Sequence, residues 1–536
     1  MKENSRTFVF FTVLGIVFFL LLGRLFELQV LWGKKYRTLA EGNRIRRVII
    51  PAPRGVILDR HDLPLVQNQP VFRKAVRDET GEITSWEPVS REEALDLEAQ
   101  GKIDSIREDV GRKYLYPRSL SHVLGYLGEI NLKELKTESF RLGDLIGRGG
   151  IEQKYDLFLR GQDGGKLIEV DANGNQVKVL GEVEPQPGGE IKLSLDAKLS
   201  QKALELLEEK KGAIVASEAE TGRILVLVSS PAFDANLFSQ LSFNQEKAAQ
   251  AQEVLEDSRM LMLNRAIGAH YPPGSTFKIV SLVAGLEEEK IDRETIYEDT
   301  GQIKIGDFVY NNWYFTQYGQ VEGEIDLITA LKRSTDTFFY KVGEWVGAPK
   351  LANWAREFNL GSKNEIDLPG EITGLVLDPK TKKESRGESW FLGNTYHLAI
   401  GQGFLLTTPL QVNTMTSVIA NQGKLCLPKI NLDQTVDCRD LSLKRETLDL
   451  IKEGLKEVCL PKGTAFPFFD FQPQVAGKTG TAEFGDPEDR THAWFTAFAP
   501  ADKPEIVVTV LLEAGGEGSY DAAPIAKEIF EYWFEN

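Results

Sequence analysis

Strand-like runs stand at two places far apart in the chain, and that separation constrains the fold more than any other feature. Gly212-Ala-Ile-Val-Ala216 and Ile224-Leu-Val-Leu-Val228, with a turn at Glu220-Thr-Gly222, read as a β-hairpin. Val475 to Thr481, Ala493 to Ala499 and Ile506 to Leu512 read as three further strands, the last two joined by a turn at Ala501-Asp-Lys-Pro504. A long, mainly helical middle lies between the two sets, and an amphipathic segment, Ala522 to Phe534, reads as a closing helix. The arrangement that uses all of this is one α+β domain whose sheet is built from both ends of its chain.

With 536 residues the chain is too long for one ordinary core, so further domains are expected. Its 42% hydrophobic and 26% charged content is that of a folded globular protein. A net charge of -16 excludes a nucleic-acid partner held by bulk electrostatics, and an anionic substrate needs a few local cations. Thr7 to Gly23 runs without a charge, and Leu25, Phe26, Leu28, Val30 and Leu31 extend it. No small-residue cleavage signal and no lipidation cysteine follow, so we expect an uncleaved transmembrane anchor over residues 7–32, with residues 1–6 cytoplasmic. Lys2 and Arg6 precede the span, while Arg24, Lys34, Lys35, Arg37, Arg44, Arg46 and Arg47 follow it. Loop charge therefore leaves the direction of the large part open.

Residues 33–205 mix short β-like runs such as Arg47-Val-Ile-Ile50 with charged helical stretches. Within them, Ser85 to Glu108 is acidic and reads as a solvated helical piece. Cys426, Cys438 and Cys459 lack C-x-x-C spacing, and the histidines at 61, 122, 270, 397 and 492 are scattered, so no metal site is expected. One disulfide among these cysteines and small buried hydrophobes are both open readings.

The chemistry concentrates at Tyr271-Pro-Pro-Gly-Ser-Thr-Phe-Lys278. Two prolines and a glycine end one segment, and a helix should start at about Ser275. Ile279 to Leu286 is apolar all round, the pattern of a buried helix, and Lys278 is its single charge. Spacing of i, i+3 sets the Lys278 amine beside the Ser275 hydroxyl, and desolvation lowers its proton affinity. A hydroxyl at a helix start with a neutral amine beside it is an activated nucleophile in outline. Lys478-Thr-Gly480, followed by Thr481, lies on an expected strand and offers a cation and hydroxyls to a carboxylate. Ser334-Thr-Asp336 falls between these two motifs.

The ordered set S-x-x-K, S-x-D and K-T-G resembles the signature of penicillin-binding proteins and serine β-lactamases. Arg54 to Arg60, Arg112 to Gly128 and Gly147 to Gly161 look like pedestal motifs of class B penicillin-binding proteins. Ala399-Ile-Gly-Gln-Gly403 with Thr408-Pro409, Gly477 to Glu483, His492-Ala-Trp-Phe495 and the aspartate at 336 look like the elongation-type subgroup. The resemblance implies an antiparallel sheet with helices over 206–536, preceded by an elongated mixed pedestal of the dimerisation type over 33–205. It implies a peptidoglycan D,D-transpeptidase that crosslinks stem peptides, releases D-alanine, binds penicillin covalently and needs no cofactor. Ser275 is then the nucleophile, Lys278 its base, Ser334 a proton relay, Asp336 an orienting group and Lys478 a tuning cation. Thr479, Gly480 and Thr481 would hold the substrate carboxylate, with the backbone N–H groups of Ser275 and Thr481 as oxyanion hole. The implied partners are stem peptides, β-lactams, a SEDS-type glycosyltransferase with other elongation proteins, and the membrane. The catalytic part would lie outside the cytoplasm on a single-pass anchor. His61-Asp62 replaces the usual Asn-Gly after the first pedestal motif, and the short stretch before the second predicts a reduced pedestal head. Tyr297 to Tyr318 has no His or Cys for the zinc site of some relatives. A β-lactamase, a D,D-carboxypeptidase and a non-catalytic scaffold are the rival readings. The pedestal motifs weigh against the first two, and intact Ser275, Lys278 and Lys478 against the third.

Overall fold

The computed structural model describes residues 3–100, 105–136, 140–171, 176–208, 210–239 and 245–535. Its first helix, Glu3–Phe26, continues through a π-type turn, Glu27–Leu31. No residue of the apolar stretch Thr7–Leu31 is buried in the protein, and Phe8, Phe11, Phe18, Phe19 and Leu20 all stand open. At 1.5 Å per residue it is about 37 Å long, enough to cross a ~30 Å hydrocarbon layer. It fits a single-pass membrane anchor.

The chain divides into two compact units that alternate along the sequence. The smaller takes Met1–Arg54, Gln69–Gly111 and Arg160–Gly188, and the larger takes Gly55–Asn68, Arg112–Leu159 and Gly189–Asn536. The larger unit thus draws two internal stretches, and the last residues from Gly189 on, from the region 33–205 that the sequence reads as one pedestal. Burial explains the draw. Arg112 is fully enclosed, its Nε donating to Glu152 Oε1 at 2.9 Å and its other nitrogens to Asn68 Oδ1 and the Gly55 carbonyl at 2.7 and 2.6 Å. A desolvated charge needs this full set of partners, so the segments that carry them fold together.

In the smaller unit, Ile45–Ile50 pairs antiparallel with Gly164–Val170, which pairs in turn with Gln176–Val183. A second three-stranded sheet has Val66–Arg77 between Ile83–Val89 and Ile106–Tyr114, of which residues 69–111 belong to this unit. Here the helical reading of Ser85 to Glu108 is corrected. Only Arg91–Ala99 is helical, capped by the Ser90 hydroxyl, which accepts from Glu93 N–H at 3.1 Å. Its flanks are strands, and residues 101–104 lie outside those described. The charged look of the second flank misled, because Asp109 faces inward against the buried Arg73 guanidinium at 2.9 Å.

The larger unit carries the expected five-stranded sheet. Its elements are β1 (Gly212–Glu218), β2 (Ile224–Ser230), α1 (Lys278–Glu287), α2 (Leu327–Arg333), α3 (Asp336–Val346), α4 (Pro409–Ala420), α5 (Arg445–Val458), β3 (Ala476–Glu483), β4 (Thr491–Ala499), β5 (Ile506–Leu512) and α6 (Ala523–Glu535). Strand order is β2-β1-β5-β4-β3, antiparallel throughout. One row crosses the whole sheet as Val228, Ile214, Val510, Phe495 and Thr479. Both faces are covered. Trp494, Phe498, Val507 and Leu511 pack with residues of α1 to α5, while Phe495, Val508 and Val510 pack with Leu199, Leu207, Ile529 and Phe530. That is why β2 and β5 are buried at every position and mostly apolar, rather than apolar at alternate ones. The open question about the cysteines resolves both ways: Cys426 and Cys438 form a disulfide, and Cys459 is a buried free thiol.

Candidate active site

The nucleophile turn is clamped before it begins. Tyr271 N–H donates to the Thr407 carbonyl at 2.8 Å, Trp494 Nε1–H to the Pro272 carbonyl at 3.0 Å, and Gly274 N–H to the Gly401 carbonyl at 2.9 Å. Gly274 has φ +53°, a left-handed conformation that turns the chain under β3. The helix then starts as a 3-10 turn, Gly274–Phe277, and becomes α-helical at Lys278. With three residues per turn, side chains at i and i+3 eclipse, so Ser275 and Lys278 line up along the axis more closely than α-helical spacing implies.

Ser275 is partly open to solvent, and Lys278 has no exposed surface. The Lys278 Nζ donates to Asp336 Oδ1 at 2.6 Å, to the Ser334 carbonyl at 2.8 Å and to Ser334 Oγ at 3.1 Å. No hydrogen bond from it to Ser275 is found among the described residues. An ammonium spends three N–H groups on those three acceptors, whereas a neutral amine has two and a lone pair to turn elsewhere. Ser334 ends α2 at φ +57°, which aims its carbonyl and hydroxyl at the lysines. Lys478, also fully buried, donates to Ser334 Oγ at 2.9 Å and to the Thr479 carbonyl at 3.0 Å.

Burial pushes Lys278 below the usual lysine range, and the Asp336 carboxylate pulls only part of the way back. Lys478 is pushed well below that range, by burial first and by the Lys278 charge second. Each ammonium disfavours the other across the shared hydroxyl, so both amines give up a proton more readily than an exposed lysine does.

The remaining expected residues lie on β3. Thr479 is buried and its Oγ1 is 2.7 Å from Thr464 Oγ1. Gly480 packs against Thr276 of the nucleophile turn. Thr481 is exposed, and its Oγ1 accepts from Gly518 N–H at 3.4 Å. Structure adds groups that sequence reasoning missed. Trp313 N–H donates to Asp336 Oδ2 at 3.0 Å, and the Asn312 side-chain oxygen accepts from Asp336 N–H at 3.1 Å. Turned to match, the Gln402 amide meets the Glu483 N–H at 3.0 Å and its carbonyl at 3.2 Å, at the end of β3. Of these only Gln402 had a sequence signal, its place in the Ala399 to Gly403 motif. A backbone N–H has none.

The family described as penicillin binding protein transpeptidase domain matches residues 212–531, and the penicillin-binding protein dimerisation domain matches 80–193. The chain is 31% identical to the Acinetobacter baumannii protein named peptidoglycan D,D-transpeptidase MrdA, over 99% of this chain and 88% of that protein. Among solved structures it is similar to the Helicobacter pylori penicillin-binding protein PBP2 in complex with MreC, with TM-score 0.80 and 29% identity over 92% of this chain and 99% of that one. It is also similar to a chain of the structure "Structural coordination of polymerization and crosslinking by a peptidoglycan synthase complex", with TM-score 0.78 and 29% identity over 100% and 99%. Two domain families in the right order, and full-length similarity to MrdA, carry the conclusion that the chain belongs to the elongation-type class B penicillin-binding proteins.

Proposed function

We propose that the chain is a membrane-anchored peptidoglycan D,D-transpeptidase of cell-wall elongation that works through an acyl-enzyme on Ser275. The observation that carries this reading is the dry cluster in which Ser334 Oγ meets both Lys278 and Lys478. Neutral Lys278 takes the Ser275 proton as the hydroxyl oxygen attacks the carbonyl of a D-Ala-D-Ala peptide bond. The backbone N–H groups of Ser275 and Thr481 face the resulting oxyanion. Both lone pairs of Ser334 Oγ point to amines, so its hydrogen is free to pass to the departing D-alanine nitrogen, and the Lys278 proton refills it. The C–N bond breaks, D-alanine leaves, and an ester stays on Ser275. An amine of a second stem peptide attacks that ester, the new C–N bond forms, and a proton returns to Ser275. Thr479, Gly480 and Thr481 receive the terminal carboxylate of the donor, and Asp336 holds Lys278 in place. A β-lactam enters by the same attack, but its ring opening leaves no departing group, so the enzyme stays acylated.

The crosslinking of wall peptides, which takes place outside the membrane, and the Cys426–Cys438 disulfide both favour a catalytic unit outside the cytoplasm. The complexes formed by the relatives favour a SEDS-type polymerase and other elongation proteins as partners. Fluorescent penicillin tests the reading. Wild type should be labelled covalently, and a Ser275→Ala protein with unchanged melting temperature should not be. Undiminished labelling of that folded variant overturns the mechanism.

A further inference from the structure

One buried carboxylate beside the site has no part in the steps above. Asp299, 1% exposed, ends the strand Ile296–Asp299. Its Oδ1 accepts from Gly301 N–H at 3.0 Å and from the Thr337 hydroxyl at 2.6 Å. Its Oδ2 accepts from Asn312 Nδ2 and from Glu322 N–H, both at 3.0 Å. Four donors fill the sites a carboxylate offers, and none of the four is a cation. A charge is being held in the interior by neutral hydrogen bonds alone, which is costly unless every donor is well placed.

Two of those donors, Asn312 and Thr337, flank Asp336. Because Asn312 Nδ2 is tied to Asp299, its Oδ1 is turned toward Asp336 N–H, 3.1 Å away. The next residue, Trp313, gives its N–H to Asp336 Oδ2 at 3.0 Å. Thr337, which follows Asp336 in α3, is held by the other Asp299 oxygen. Asp336 is therefore gripped on both sides by groups that Asp299 orders, and its Oδ1 is left for Lys278 at 2.6 Å. We infer that Asp299 is a positioning residue for acylation: through Asn312, Trp313 and Thr337 it fixes the Asp336 carboxylate, and through Asp336 the aim of the Lys278 amine. The inference rests on the reading of Lys278 as the base for Ser275.

Asp299→Asn keeps the shape but turns an amide NH2 toward a set of donors, of which the Thr337 hydroxyl can reverse to accept and Asn312 can do so only by a flip that gives up its bond to Asp336 N–H. The test is a double-substitution cycle with Asp336→Asn, read as the acylation rate constant at saturating penicillin and as the non-covalent Kd. Asp299→Asn is expected to slow acylation about 10- to 100-fold, the scale of a misplacement of about 1 Å, with Kd little changed. In the Asp336→Asn background the same substitution should cost less than about twofold, because the residue it acts through is already altered. Equal losses in both backgrounds, or wild-type acylation by Asp299→Asn alone, overturn the inference. If Asp299→Asn does not fold, the isosteric Thr337→Val takes its place in the cycle, with the same two outcomes. Failure of the underlying reading shows separately, as wild-type acylation by Asp336→Asn or by Lys278→Met.

Discussion

Asp336→Asn removes one charge and one acceptor while keeping the side chain's shape, which makes it the sharpest probe of the base. The carboxylate now serves two buried donors, with Lys278 Nζ on Oδ1 at 2.6 Å and Trp313 N–H on Oδ2 at 3.0 Å. An amide has one oxygen for the two, and its NH2 must face the other donor. One of them loses its partner, at a cost of about 1–3 kcal/mol in stability. The electrostatic effect has a definite sign. Burial lowers the proton affinity of Lys278, and Asp336 is the group that opposes this. Without the carboxylate the amine gives up its proton at lower pH, so the acid limb of the acylation profile moves down. The amine is also a weaker base and is less firmly aimed, so the plateau should fall about 10²-fold. Stopped-flow acylation by a reporter β-lactam between about pH 5 and 9, beside thermal melts of both proteins, reads all three quantities. An acid limb that stays at the wild-type pH, or moves upward, would refute Lys278 as the group whose neutral form accepts the proton.

Gly401→Ala should both destabilise the protein and slow acylation, because Gly401 has φ +78° and a Cβ there would lie 2.1 Å from the Gly274 carbonyl. Strain of about 1–3 kcal/mol is expected, and a melting temperature and labelling rate equal to wild type would show that the turn has more room. His492 carries a pH prediction: it is buried, its Nδ1 accepts from Ala514 N–H at 3.1 Å, and burial pushes its pKa down to about 4. The unfolded chain binds that proton near pH 6.5, so stability is present above pH 6.5 and is lost as pH falls through about 4, by about 3 kcal/mol in all. The stability difference between wild type and His492→Gln in urea melts should therefore shrink from pH 7 to pH 4, and a constant difference would contradict it.

The sheet was legible because both of its faces are buried. Ile224 to Val228 is apolar at every position and Ile506–Leu512 at every position but Thr509, and such runs stand out without any knowledge of their partners. Ser275 and Lys278 were legible because their relation is local, set by one helical turn after two prolines. Asp299, Asn312 and Trp313 were not, although they grip Asp336 directly or at one remove. Their roles exist only once distant segments meet, and two of the contacts are made by backbone atoms that any residue supplies. The misread strands beside Arg91–Ala99 have a related cause. Asp109 and Arg73 make a buried pair, yet each alone has the look of a solvated surface residue.

The site also breaks several local rules at once, and the breaks point the same way. Lys278 and Lys478 are desolvated lysines in contact with one hydroxyl, although lysine is among the residues least often fully buried. Ser334 holds a left-handed backbone without being glycine. A core chosen for stability alone would replace the two amines with methionine or leucine and end α2 with glycine. Each substitution would remove a desolvation or strain cost of the kind that clusters at functional sites. The sheet offsets these costs. It joins β1 and β2 from one end of the domain to β3, β4 and β5 from the other, and everything in between must close against its covered face. Ser275, Ser334 and Asp336 come from that intervening stretch, while Lys478 comes from the edge strand β3. Closing the sheet is therefore the same event as bringing the second lysine to Ser334. The cluster draws on both ends of the sheet, and so the stability of the sheet is what holds two desolvated amines around one hydroxyl.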